Sequence, residues 1–452
     1  MVRPLSDNMD WTSLGDLNLA DNKQDLALIA NTNIADIQPT DSPNLLVFPS
    51  CLGEHGDDIG SNRIISLRND EISTGNVMGF VGINDTMLTI HSRFAKTDTE
   101  DYFLHYLLQR VFCINFFNLK HTISKEPIFD FLLYTFPYFL KKALRQGIYK
   151  KYQRFQHNDT KVRGVISVNR HIKSNIPFNG CISYTTREHS YDNDVTQLIR
   201  HTIEYIETKA LGKQVLRNDS ITIDCVKQIK SATPSYEINK RKKVINNNLR
   251  PIRHPYFNSY TALQRICIQI LRHDSIKYGD RQDKVYGVLF DGAWLWEEYL
   301  YTILKSEGFE HPRNKEKQGG INMFVDSSGD MVFDKNYREL FPDFYKEDFV
   351  LDAKYKHLNS TVGRDDLYQV VTYMYCLDYR FGGYIYPKDG NQQHAKFKLA
   401  GIGCNYKGYE GGIISVIPFD VPQNAPNWEI FVKSISDSEE QLVSDIYAGL
   451  HF

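Results

Sequence analysis

Two aspartates nine residues apart, with an apolar run between them and a lysine just beyond, constrain this chain more than any other feature. The segment reads Phe341-Pro-Asp-Phe344, then Asp348-Phe-Val-Leu-Asp-Ala-Lys354. Side chains alternate across a strand, so Phe349, Leu351, Ala353 and Tyr355 share one face while Asp352 and Lys354 share the other. Tyr345 to Asp348 can supply a turn. In the resulting antiparallel hairpin, positions whose numbers sum to about 695 face each other, which sets Asp343 opposite Asp352. Converging carboxylates repel, and unless a cation sits between them one takes up a proton. Hard oxygen donors on a small, partly open site suit Mg²⁺ or Mn²⁺. Such an ion polarises a phosphate and lowers the pKa of bound water. Lys354 would orient that water and offset charge developing on the phosphate. The competing reading is a surface hairpin with merely solvated Asp and Lys side chains. PD and DxK are each common by chance; their joint spacing is more selective.

The flanks add carboxylate and amide groups. Trp294 to Leu304 reads as a helix with Leu300, Ile303 and Leu304 on its apolar face. Glu297 lies on that stripe, whereas Glu298 aligns with Tyr301, Thr302 and Lys305. An inward carboxylate needs a partner, so Glu297 is the better third metal ligand of the two; the competing reading is a tolerated glutamate at the helix edge. Downstream, Gln369 and Tyr373 are four apart on a helix. Both could contact phosphate or orient Lys354; alternatively they form a helix-packing pair.

The chain is too long for one ordinary core, and three regions are expected. Residues 1–95 read as a β-rich module, with strands at Asn44–Phe48, Ile64–Leu67, Asn76–Ile83 and Met87–Ile90. A turn-rich loop covers Gly53–Asn62. Residues 96–254 read as mixed and mainly helical. Residues 255–452 read as an α/β domain with a mixed sheet, giving a mixed α/β protein overall.

A net charge of −2 means that any nucleic-acid contact must concentrate basic residues locally. The window Lys141–Lys173 does so: it holds ten Lys or Arg, among them Lys150, Lys151, Arg154 and Lys161, against Asp159 alone. Tyr149, Tyr152 and Phe155 are interleaved. A second cluster is Lys240, Arg241, Lys242 and Lys243. These positions read either as solvated surface or as phosphate contacts with salt-sensitive binding. The seven cysteines form no CxxC pair and suggest reduced thiols. No signal pattern or bilayer-length apolar run is present, so a cytoplasmic protein without membrane contact is expected. No phosphate-binding loop, HExxH or GxSxG occurs, so nucleotide hydrolysis is not expected of this chain.

Taken together, these residues resemble the McrC family, the nuclease subunit of McrBC-type and LlaJI-type restriction systems, within the PD-(D/E)xK superfamily. The resemblance rests on Leu289-Phe-Asp-Gly-Ala-Trp-Leu-Trp-Glu297, Pro342-Asp343, Asp352-Ala-Lys354 and Asp366-Leu-Tyr-Gln-Val-Val-Thr-Tyr373. In the middle it rests on Val162–Val168, Thr186–Asn193 and Gln197–Arg200, and near the start on Gly79–Ile83 and Leu88–Phe94. Trp294 and Trp296 stand where the family commonly has smaller residues. The resemblance implies a PD-(D/E)xK nuclease domain using Glu297, Asp343, Asp352 and Lys354, with Gln369 in support. It implies a McrB-type AAA+ GTPase ring as partner, docking through the N-terminal module, and cleavage of double-stranded, often modified DNA within that complex. Residues between Ser61 and Asn76 are candidates for stimulating the GTPase. Two alternatives stay open: a non-catalytic regulator of an NTPase ring, and a stand-alone PD-(D/E)xK nuclease.

Overall fold

A computed structural model describes residues 5–37, 45–49, 62–83, 86–95, 101–112, 127–209, 212–217, 219–252, 254–276, 285–312, 319–324, 339–356, 362–388, 393–399 and 412–448. Mixed α and β elements divide into two compact units, residues 1–116 with 281–452, and residues 117–280. The fold class expected from the sequence is the one observed. These units cut across the three regions read along the chain: 1–95 and most of 255–452 share one unit, 96–116 joins them, and 255–280 belongs with the middle. Ser259–Ile276, read as the first helix of the third region, packs on helices Pro127–Leu144 and Asp194–Glu207. Val285–Asp291 inserts into the N-terminal sheet, between Val77–Ile83 and Leu45–Phe48.

The reason lies in that strand's composition. Val288, Leu289 and Phe290 are all fully buried. A strand that is apolar on both faces needs cover on both, and the N-terminal sheet supplies it. The antiparallel partner approaches so closely that two glycines are required. A Cβ on Gly79 would lie 2.2 Å from the Val288 carbonyl oxygen, and one on Gly287 would lie 2.2 Å from that of Phe80. Both glycines also hold positive φ. The sheet runs Leu5–Ser6, Thr86–His91, Val77–Ile83, Val285–Asp291, Leu45–Phe48. The strand expected at Ile64–Leu67 forms as Ile65–Arg68 and is one arm of a hairpin with Glu71–Thr74, which was not expected. The turn-rich segment 53–62 falls outside the described residues except for Asn62.

The second sheet of this unit carries the hairpin. Its order is Phe344–Lys346, Phe349–Ala353, Phe381–Lys388, Ile413–Asp420, Ala395–Lys398. The three central strands are parallel and the two edge strands antiparallel. Helix Arg364–Leu377 covers one face, where Val350, Val370, Met374, Tyr384 and Val416 share a core. On the other face the ring of Trp296, from helix Gly292–Leu304, lies 5.4 Å from that of Phe419. Its large indole is fully buried in this contact, which accounts for a tryptophan at that position. Helix Trp428–Ala448, not anticipated from the sequence, also packs on strand Ile413–Asp420.

In residues 117–280 the expected helices form: Val195, Leu198, Ile199, Thr202, Ile203 and Ile206 all bury one face of Asp194–Glu207. Asn193 caps that helix in a reciprocal box with Thr196. The basic window, in contrast, is not a plain helix-and-loop surface. Lys151–Asp159 is a strand paired along its length with Ile182–Ser190, which also pairs with the short strand Val165–Ile166.

Candidate nuclease site

The hairpin has the expected register. Phe344 pairs with Leu351, Tyr345 with Val350 and Lys346 with Phe349, leaving Glu347 and Asp348 as a tight turn with Asp348 at positive φ. One step beyond the last pair, Asp343 faces Asp352. Asp343 Oδ2 accepts the backbone N–H of Ala353 at 2.7 Å, which pins that carboxyl against the second strand. The Asp343 carbonyl oxygen lies 2.6 Å from His311 Nδ1.

Asp352 is 1% exposed, yet it carries a carboxyl. Lys354 Nζ lies 2.7 Å from its Oδ2 in a buried ion pair. The lysine also reaches Asp366 Oδ1 at 3.4 Å and donates to Gln369 Oε1 at 3.4 Å. Gln369 Nε2 donates to the Tyr373 hydroxyl at 3.0 Å, which donates to the Phe341 carbonyl oxygen at 3.2 Å. Lys356 pairs with Asp366 as well.

The electrostatics follow from burial and crowding. Burial pushes the Asp343 carboxyl well above the usual range, and the charges of Glu297 and Asp352 push it further. Burial also raises Asp352, against the pull of Lys354. Both carboxyls are therefore shifted toward the protonated form, as burial and crowded like charges require when no cation lies between them. Burial alone would lower Lys354, but the carboxylates of Asp352, Asp343 and Asp366 outweigh it and hold the ammonium charged. Burial would raise Asp366; hydrogen bonds from Lys356 and Lys354 overcome this and keep it below the usual range.

Among the described residues, no three His, Cys, Asp or Glu side chains are gathered tightly enough to hold an ion as they stand. The donor chemistry nevertheless fits a hard divalent cation. Two carboxylates converge, a third from Glu297 is near enough to act on Asp343, and the Asp352 carboxyl is buried. The Lys354 ammonium offsets part of their charge here.

Glu297, Asp343, Asp352, Lys354 and Gln369 therefore come together, as the hairpin and helix periodicities predict. Tyr373 joins them differently: it is 8% exposed and bridges Gln369 to the Phe341 carbonyl, so it is not presented to a phosphate. Asp366 went unread as a site residue, although it lies three positions before Gln369 on the same helix face, a spacing that could have revealed it. Glu298 turns instead towards His311, at 3.9 Å.

The basic residues divide. Lys150, Lys151, Arg154 and Lys161 are all exposed, and both faces of strand Lys151–Asp159 meet solvent. Tyr152 is exposed under the Arg187 guanidinium, while Tyr149 is buried with its N–H donated to the Tyr260 hydroxyl. Lys240 is paired with Glu237 at 2.6 Å, and Lys242 is exposed. Arg241 is half-buried, its guanidinium over the Tyr205 ring at 5.2 Å from the centroid.

A sequence-family profile described as the McrBC 5-methylcytosine restriction system component matches residues 72–387. The chain belongs to the McrBC family. That match takes in the hairpin, the Glu297 helix and the Gln369 helix together. Among solved structures, a half-complex from the tetradecameric assembly of Thermococcus gammatolerans McrB AAA+ hexamers with bound McrC is similar at 14% identity and a TM-score of 0.46. It covers 96% of this chain and 99% of that one. A second, the McrBC complex of the same organism, is similar at 15% identity and a TM-score of 0.28, covering 68% of this chain and 87% of that one. At these values the family match carries the assignment. No curated protein matches this chain.

Proposed function

We propose that this McrBC family member is the DNA-cutting subunit of a modification-dependent restriction system, with a PD-(D/E)xK site that uses Mg²⁺ or Mn²⁺. We infer further that it works with, and stimulates, an AAA+ GTPase of the McrB type. Family membership supports the restriction role, and the absence of a phosphate-binding loop from this sequence agrees with a motor on another chain. The observation that carries the nuclease reading is the hairpin register, which sets Asp343 opposite Asp352 with Lys354 at 2.7 Å.

Asp343, Asp352 and Glu297 would hold the divalent ion, which supplies charge to polarise the scissile phosphate and acidify water. Lys354, held charged, serves as a donor that orients water and balances charge building on the phosphate, rather than as a neutral base. Gln369 aims that ammonium, and Tyr373 anchors Gln369 to the first strand of the hairpin. Lys150, Lys151, Arg154 and Lys161 on the exposed sheet are the proposed contacts to double-stranded DNA, with Lys240 and Lys242 as weaker contributors. Among the described residues no helix is long and apolar enough to cross a membrane.

The test is cleavage of modified DNA by the chain together with its AAA+ partner, Mg²⁺ and GTP. Asp352→Ala should abolish cutting and preserve GTPase stimulation. Cutting that survives this change refutes the site, and cutting by the isolated chain without a partner refutes the dependence on a complex.

A further inference from the structure

Tyr355 directly follows Lys354 and faces away from it, as strand alternation requires. It is buried in the N-terminal half of the same compact unit. Its hydroxyl lies 2.7 Å from Ser92 Oγ and donates to Met78 Sδ at 3.2 Å. The Arg93 guanidinium sits over its ring at 4.9 Å, and the Phe94 ring meets it edge-on at 5.2 Å. A Cβ on Gly292 would lie 2.7 Å from the Tyr355 Cε1 atom. Only a glycine lets the ring rest against the first residue of helix Gly292–Leu304, which carries Glu297.

The residues that receive Tyr355 are themselves held rigidly. Asp101, 2% exposed, accepts the Ser92 N–H at 2.5 Å and the Leu104 N–H at 2.8 Å. Asp7, 1% exposed, accepts the Arg93 backbone N–H at 2.5 Å and its Nε at 2.9 Å. Asn76 accepts from the same guanidinium. Two buried carboxylates thus lock the segment Ser92–Phe94, and that segment locks Tyr355. On the other side, the Lys354 backbone N–H donates to the Ile385 carbonyl at 2.9 Å, so the peptide next to Tyr355 is fixed to the central sheet.

We propose that Tyr355 is a positioning residue for DNA cleavage, clamping Lys354 and the start of the Glu297 helix to the N-terminal sheet through Ser92. The inference rests on the nuclease reading above. It makes the N-terminal sheet part of the active-site frame: a shift of Ser92–Phe94 moves the backbone of the catalytic lysine and the helix bearing the third carboxylate together. Misplacing reacting groups by about 1 Å costs on the order of 10²-fold in rate, so a small shift suffices to gate cutting.

The experiment uses the full chain with its AAA+ partner, DNA, Mg²⁺ and GTP. Tyr355→Phe and Ser92→Ala each remove one end of the hydroxyl contact and leave the ring packing in place. Each should lower kcat for cutting about tenfold, with KM for DNA and GTPase stimulation within about twofold, and the double variant should fall no lower than the worse single one. Gly292→Ala, which forces the ring to move, should lower kcat further. Wild-type kcat in Tyr355→Phe, additive losses in the double variant, or losses that track a fall in melting temperature overturn the proposal. Asp352→Ala run in parallel separates the two readings. If Asp352→Ala is dead and Tyr355→Phe is fully active, only the positioning role falls; if Asp352→Ala still cuts, the nuclease site falls first. Should the wild-type complex fail to cut, Mn²⁺ titration calorimetry decides: several-fold weaker binding by Tyr355→Phe supports the clamp, and equal binding overturns it.

Discussion

Strands Phe349–Ala353 and Lys151–Asp159 both carry charged side chains, but their surroundings differ. The first is buried throughout, and Asp352 and its neighbour Lys354 answer to each other and to Asp343, Asp366 and Gln369. The second meets water on both faces, and Lys151 and Arg154 face solvent. Low effective dielectric magnifies every interaction in the first strand and shifts its ionisations; solvent screens the second and leaves it able to trade counter-ions for phosphates. On the proposed function, chemistry belongs where charge is confined, and sequence-independent contact where it is free.

This contrast can be broken by experiment. The largest effect is expected from Lys354→Met, which leaves Asp352 buried without its cation. Cutting should fall by about 10²- to 10³-fold, as for loss of a key transition-state donor. Without metal, stability should also drop by about 3 kcal/mol, the cost of orphaning a buried charge, with Mg²⁺ restoring part of it. Cleavage rates and thermal melting with and without the ion check both. A variant that cuts normally would show that confinement does not matter here.

Next, Lys151→Glu with Arg154→Glu should weaken DNA binding about tenfold or more at moderate salt and flatten its salt dependence. Melting should stay unchanged, because neither side chain is packed. Affinity measured across a salt series decides; an unchanged slope removes this sheet from the DNA interface.

The third prediction concerns pH. The folded pKa of Asp343 lies above its unfolded value, so its contribution to stability is present below the ordinary carboxylate range and is lost as pH rises through the folded value. Metal-free protein should lose stability on going up in pH, Asp343→Asn should flatten that loss, and Mg²⁺ should suppress it. Asp101, raised by burial to about 7, adds a loss of the same sign through neutrality that Asp101→Asn removes. Melting curves from pH 5 to 9 test this; stability that rises over that window contradicts it.

The smallest effect is expected from Lys240→Ala. Its ammonium is exposed and paired with Glu237 on the surface, an interaction worth about 0–1 kcal/mol. DNA affinity should change less than about twofold, and a tenfold loss would promote this cluster above Lys151 and Arg154.

Much of the site was legible because its geometry is short-range. A tight turn plus period-2 alternation fixes which positions face each other, so Asp343 and Asp352 could be paired from their numbers alone. Helical spacing likewise separated Glu297 from Glu298. What stayed illegible depends on contacts remote in sequence. Tyr373 looked available on spacing, and burial with a hydrogen bond to the Phe341 carbonyl turned it inward. Lys151–Asp159 looked like a basic surface because its apolar residues do not alternate with a buried face; its strand form comes from its partner, Ile182–Ser190.

The sequence by itself determined the hairpin register, the helix faces and the chemical kinds of the site groups, since turn length, side-chain period and functional group are properties of a few adjacent residues. Only the tertiary structure decided that Val285–Asp291 completes the N-terminal sheet and that Tyr355 reaches Ser92. It also decided that Asp352 is buried deeply enough for its carboxyl to be pushed above the usual range. Those outcomes depend on which distant surfaces bury each other, and burial free energy is a property of the assembled core rather than of any local window.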